Sequence, residues 1–226
     1  MDVFMLVDGL LTGGVPAHVG HRTWSGGTLS LATLANAPLW PALVSTGTVA
    51  LAEIGDKTQL LALLLAARFR KPWPIIAGIL VATLLNHALA AWAGALAASW
   101  LAPDALRWIV AASFIAIALW TLKPDKLDDA GEGLLPARGA FIATTAAFFI
   151  AEIGDKTQVA TVLLAAKYSP LWQVVAGTTV GMLLANVPVV ALGSRFAQRL
   201  PLRAARIAAA LVFLALGSWA LLRGIG

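Results

Sequence analysis

The sequence predicts an all-α polytopic membrane protein: six transmembrane helices arranged as two inverted three-helix repeats. Three observations carry this. First, charge is scarce. Of 226 residues, 60% are hydrophobic and 12% charged, with a mean hydropathy of +0.85. A soluble domain carries about a quarter charged residues. Second, the charges are clumped. No Asp, Glu, Lys or Arg lies between Arg22 and Glu53, Lys71 and Asp104, Lys167 and Arg195, or Arg206 and Arg223. Uncharged apolar runs near 20 residues match the hydrocarbon core, because a helix rises about 1.5 Å per residue. Third, EIGDKTQ at 53–59 recurs unchanged at 152–158, and 14 of 26 positions agree between 53–78 and 152–177.

Each element follows from its own signals. Residues 1–40 mix Gly13-Gly14, Gly26-Gly27, Pro16 and Pro38 with apolar residues and read as a poorly ordered tail or a short interfacial segment. The first repeat, 41–122, holds helices over 42–67, 74–100 and 105–122. They are bounded by Arg68, Arg70, Lys71 and Pro72, then by Pro103-Asp104, then by Lys123-Pro124. A polar loop, 123–138, follows. The second repeat, 139–226, holds helices over 139–166, 171–194 and 204–222. Trp73, Trp100, Trp108, Trp120, Trp172 and Trp219 fall near helix ends, as in an interfacial aromatic belt. Three helices per repeat is an odd number, so the second repeat inserts upside down. Such repeats mark secondary transporters with a site near the midplane.

The loops give orientation. Ten basic residues (Arg68, Arg70, Lys71, Lys123, Lys126, Arg138, Arg195, Arg199, Arg203 and Arg206) lie on one side and four (Arg22, Arg107, Lys167 and Arg223) on the other. The positive-inside rule places the larger set in the cytoplasm and both termini outside, in a bacterial inner membrane. Several classes are excluded. The net charge of +5 does not point to nucleic acid, because the basic residues flank apolar runs and form no stripe. With no cysteine there are no disulfides, thiolate metal sites or thiol chemistry. The Leu/Ala-rich runs lack the period-2 alternation of an outer-membrane barrel. The start of the chain lacks the basic n-region of a secretory signal.

The duplicated motif carries the chemistry. Treated as continuous helix, each copy sits mid-span, and Glu53, Asp56, Lys57 and Gln59 share an arc of roughly 160° at 100° per residue. Glu152, Asp155, Lys156 and Gln158 do the same. Glu53 with Lys57 and Glu152 with Lys156 are i, i+4 ion pairs on such helices. Four carboxylates and two ammoniums still leave two negative charges. A buried charge of that size takes two protons or one divalent cation, the alternation of a cation/proton exchanger. Carboxylate and amide oxygens are hard donors, which favours Mn²⁺, Ca²⁺ or Mg²⁺ over Zn²⁺ or Cu. The metal ligands are therefore Glu53, Asp56, Gln59, Glu152, Asp155 and Gln158, supported by Lys57, Lys156, Thr58 and Thr157. Thr58 and Thr157 point off the stripe, toward their own i−4 carbonyls.

Two Glu-x-Gly-Asp-Lys-Thr/Ser motifs, each in the first helix of a three-helix repeat, resemble the Gdt-type family of cation/proton exchangers within the lysine-exporter superfamily. The resemblance covers about residues 42–223. It implies Mn²⁺ or Ca²⁺ transport against H⁺ and assigns ion binding to Glu53, Asp56, Glu152 and Asp155.

Weaker features surround the motif. Asn86 and His87 occupy the positions that Ala185 and Asn186 take in the second repeat; intramembrane Asn bridges helices, and Asn86 and Asn186 are supporting candidates. Pro188 reads as a kink, and Gly78 and Gly177 as close-packing positions. His18 and His21 have metal-compatible spacing but number only two. The leading expectation is thus a secondary transporter exporting Mn²⁺, with Ca²⁺ second, in exchange for H⁺, with no prosthetic group, the lipid bilayer as its surroundings and a homo-oligomer compatible with the sequence. The alternatives are an exporter of Cd²⁺ or a cationic amino acid, and a metal-dependent membrane enzyme. The last lacks a His-rich ligand set or a nucleophile beside a base.

Overall fold

A computed structural model describes residues 39–123, 139–193 and 201–223. The expectations for the N-terminal tail with His18 and His21, and for the central polar loop beyond Lys123, lie outside these residues. These residues hold eight helices in order: α1 Trp40–Glu53, α2 Lys57–Phe69, α3 Pro72–Trp100, α4 Pro103–Thr121, α5 Ala140–Glu152, α6 Lys156–Lys167, α7 Leu171–Leu192 and α8 Leu202–Arg223. The described residues contain no strand.

Among the described residues, four helices are long and apolar enough to cross a membrane: Pro72–Trp100, Pro103–Thr121, Leu171–Leu192 and Leu202–Leu222. A shorter apolar helix covers Ala140–Glu152. Leu84, Leu85 and Leu89 of α3, Ile109 of α4, Leu184 of α7 and Leu211 of α8 are exposed away from the helix ends. Glu53, Asp56, Glu152, Asp155 and Lys156 are buried. An apolar exterior around a charged interior is stable in hydrocarbon rather than water. The chain is a multi-pass integral membrane protein.

The expected continuous helices at 42–67 and 139–166 are both broken, and the motif is the break. α1 ends at Glu53, Ile54 is extended, Gly55 takes φ +80°, and Asp56 caps α2. α5 ends at Glu152, Ile153 is extended, Gly154 takes φ +74°, and Asp155 caps α6. Positive φ costs a side chain roughly 1–2 kcal/mol and glycine almost nothing. Gly-Asp is thus a stop followed by a start, placed where uninterrupted hydrophobicity suggests continuation.

The repeats interlock. α1 packs along α7 of the other repeat, and α5 along α3; α2 also meets α7, and α6 meets α3. Glycines set these crossings. A methyl on Gly177 would overlap the Ala42 carbonyl of α1, and one on Gly94 the Val162 carbonyl of α6; one on Gly78 would lie 2.7 Å from Thr144 Cβ of α5. Gly78 and Gly177 therefore serve close packing, as their spacing indicates. Thr46 donates to the Gly177 carbonyl at 3.0 Å. Pro188 leaves α7 continuous.

Candidate functional site

Each elbow is closed by its own motif. The Asp56 carboxylate accepts from the Thr58 N–H at 3.3 Å, and that of Asp155 from the Thr157 N–H at 3.4 Å. The Asp56 N–H donates to the Glu53 carbonyl, and the Asp155 N–H to the Glu152 carbonyl. Gln59 Oε1 accepts from the Gly55 N–H at 2.9 Å, and Gln158 Oε1 from the Gly154 N–H at 2.7 Å. This resembles a capping box in which the third residue of the new helix reaches back over the turn. A break in hydrocarbon must satisfy its freed backbone groups internally, and these side chains do so.

The second helix of the opposite repeat completes the seal. Gln59 Nε2 donates to the Ala185 carbonyl of α7 at 3.0 Å. Gln158 Nε2 reaches Asn86 Oδ1 of α3 at 3.4 Å, and Asn86 Nδ2 donates to the Phe149 carbonyl near the end of α5 at 2.9 Å. Ala185 and Asn86 are repeat-related, so a backbone oxygen and a side-chain oxygen do the same work. Asn186 instead donates to Met182 of its own helix. Both glutamine oxygens in the expected ligand set face elbow N–H groups.

The threonines correct the sequence expectation. Thr58 Oγ1 donates to Glu53 Oε2 at 2.5 Å, and Thr157 Oγ1 to Glu152 Oε2 at 3.0 Å. Once the helix breaks, the i−4 carbonyl is no longer beneath the hydroxyl; the glutamate that ends the previous helix is. The ion pairs are corrected too. Lys57 pairs with Asp155 at 3.1 Å and Lys156 with Asp56, across the repeats rather than along one helix. Lys57 is 30% exposed at its side chain and Lys156 is 3%.

These pairs leave the glutamates. Glu53 and Glu152 are fully buried, each spends one oxygen on a threonine, and each keeps Oε1 without a hydrogen-bond partner. Carboxylate oxygens of Glu53, Glu152 and Asp155 lie within 4.8 Å of one another. Two lysines offset two aspartates, which leaves a formal −2 on two adjacent glutamates. Hard oxygens converging between two discontinuous helices make this cluster a candidate cation site, of the kind secondary transporters use. The amino ends of α2 and α6 face the same region and favour its negative charge.

Fold and site together define a membrane cation transporter. The sequence comparisons place it further. Residues 41–129 and 140–226 match the family described as "Divalent cation/proton antiporter GDT1". A protein of Vibrio cholerae serotype O1 named "Putative manganese exporter" is 58% identical over 172 residues, 76% of this chain and 85% of that protein. A GDT1-like protein of Synechocystis is 26% identical over 196 residues, 76% of this chain and 92% of that protein. No solved structure matches. The chain belongs to the GDT1 family of divalent cation/proton antiporters and is a transporter, not an enzyme.

Proposed function

We propose that this protein exports Mn²⁺ from the cytoplasm in exchange for H⁺, and that the ion binds at the repeat interface between Glu53 and Glu152. The observation that carries the reading is the pair of buried, unpartnered Oε1 atoms on those residues. One divalent cation or two protons neutralise them equally, so the two loads compete for the same oxygens. Asp155 is the third ligand within reach, and Asp56 the fourth candidate once Lys156 shifts. Gln59 and Gln158 act by holding the elbows. Oxygen donors alone admit Mn²⁺, Ca²⁺ and Mg²⁺; the name of the Vibrio relative favours Mn²⁺.

In this reading α1 with α2, and α5 with α6, each form one broken crossing. At about 1.5 Å per residue either half spans only about 20 Å, and the joined pair reaches across the core. With the four long helices this gives six crossings, two inverted repeats and both termini outside, in a bacterial inner membrane. Flux in proteoliposomes tests the function. Under an imposed pH gradient, Mn²⁺ and lumenal pH are followed together and compared with Ca²⁺, Mg²⁺ and Cd²⁺. Mn²⁺ uptake accompanied by proton movement is the expected result. Mn²⁺ flux without proton movement, or preference for another cation, refutes the respective part.

A further inference from the structure

We propose that the groove between α1 and α8 is a binding site for an anionic diacyl phospholipid, with its phosphate at Lys167 and one acyl chain between the helices. The groove encloses about 350 Å³. Leu43, Val44 and Leu51 of α1 and Leu216 and Trp219 of α8 line it, with Tyr168 at one end. These surfaces are apolar and lie between two helices of a membrane-embedded bundle, where an acyl chain is the available filler.

The charge at its rim selects the headgroup. Lys167 ends α6, and its Nζ lies 5.7 Å from the Tyr168 ring centre and 6.0 Å from that of Trp219, both groove-lining rings. The nitrogen is shielded from solvent and has no hydrogen-bond partner. A lysine at this level ordinarily extends its ammonium into the headgroup layer. Here two rings hold it back, and contact with rings offsets only part of the desolvation of an ammonium. Among the described residues the ion pairs are those of Lys57 and Lys156, so no carboxylate of the described residues pairs with Lys167. Asp104, at the same end of the bundle, is exposed. Arg107, also there, is taken up by the Leu221 carbonyl and the Trp108 ring. An anion delivered from the bilayer supplies the counter-charge that the described residues do not, and its chain fills the groove beside it. Thr48, buried and unpartnered on the groove wall, is a donor for an ester oxygen.

The test uses the full chain, delipidated in detergent. Phosphatidylglycerol, phosphatidylcholine and free glycerol phosphate are titrated separately, and retained lipid is counted by native mass spectrometry. Phosphatidylglycerol should bind about tenfold tighter than phosphatidylcholine. Lys167→Gln should erase the preference without changing phosphatidylcholine retention, and should transport normally in phosphatidylcholine vesicles. Ala215→Trp, which fills the groove, should lower retention of both lipids. Undiminished preference in Lys167→Gln overturns the proposal. So does displacement of phosphatidylglycerol by equimolar glycerol phosphate, which would mean an anion site without a chain groove. If Ala215→Trp fails to fold, the Lys167→Gln comparison decides alone.

Discussion

At the scale of single residues, two chemically equal sets of side chains do different work because of their partners. Asp56 and Asp155 cap helices and face lysines, so their charge is already answered. Glu53 and Glu152 are answered only by threonine hydroxyls. Glu53→Gln and Glu152→Gln keep size and the threonine contact, but remove one charge and one proton acceptor. Both should abolish Mn²⁺/H⁺ exchange in proteoliposomes while the protein still inserts and elutes as a folded species, and the losses should be equal. Full exchange by either variant contradicts the site. Removing one partner of a buried pair costs about 3–5 kcal/mol, because the other charge is left buried and uncompensated. Lys156→Met strands the buried Asp56 and Lys57→Met the buried Asp155, so both should lower thermal stability in detergent. Unchanged stability in either variant would show that its aspartate is compensated by another group.

At the scale of elements, the elbow is a glycine, a capping aspartate and a glutamine reaching back, and its two copies sit in different surroundings. A methyl on Gly154 would meet nothing within 4 Å, whereas one on Gly55 would lie 2.9 Å from Leu202 of α8. Gly154→Ala thus isolates the backbone term, and should cost about 1–2 kcal/mol from positive φ alone. Gly154→Asn should cost less, since asparagine tolerates that conformation. A thermal-melt series of the two variants checks the order; an alanine as stable as glycine would mean the elbow relaxes. Gln59→Leu leaves the Gly55 N–H unpaired and removes the tie to the Ala185 carbonyl, at about 1–3 kcal/mol for the stranded N–H. It should reduce stability and transport together, and a variant of wild-type stability would remove the glutamine from the elbow's support.

At the scale of the whole molecule, interlocking brings the two motifs together. Each motif's lysine crosses to the other motif's aspartate, and each motif's glutamine reaches the other repeat's second helix. Neither repeat completes its elbow or its charge balance alone. The proposed orientation belongs to this scale as well. The chain contains no cysteine, so single-cysteine probes need no background removal. Ala130→Cys should be protected from an impermeant thiol reagent in intact cells, and Gly226→Cys should react. The reverse pattern would invert the topology.

Composition, the clumping of charge and the duplicated heptapeptide were enough to identify a helical membrane protein with an internal repeat and to mark its acids. These are properties of the chain's solubility in hydrocarbon and of identity between segments, and no folding is needed to see them. The broken helices were legible only in part: Gly-Asp-x-x-Gln is a stop and a cap, but in an apolar run hydrophobic continuity outweighs a local signal. The partners were not legible. Lys57 lies near Glu53 in sequence, yet the elbow turns α2 away and the other repeat presents Asp155. Helical spacing assigns neighbours along one axis, and it loses that power once the axis breaks. Which carboxylates remain uncompensated is therefore decided by packing between the repeats.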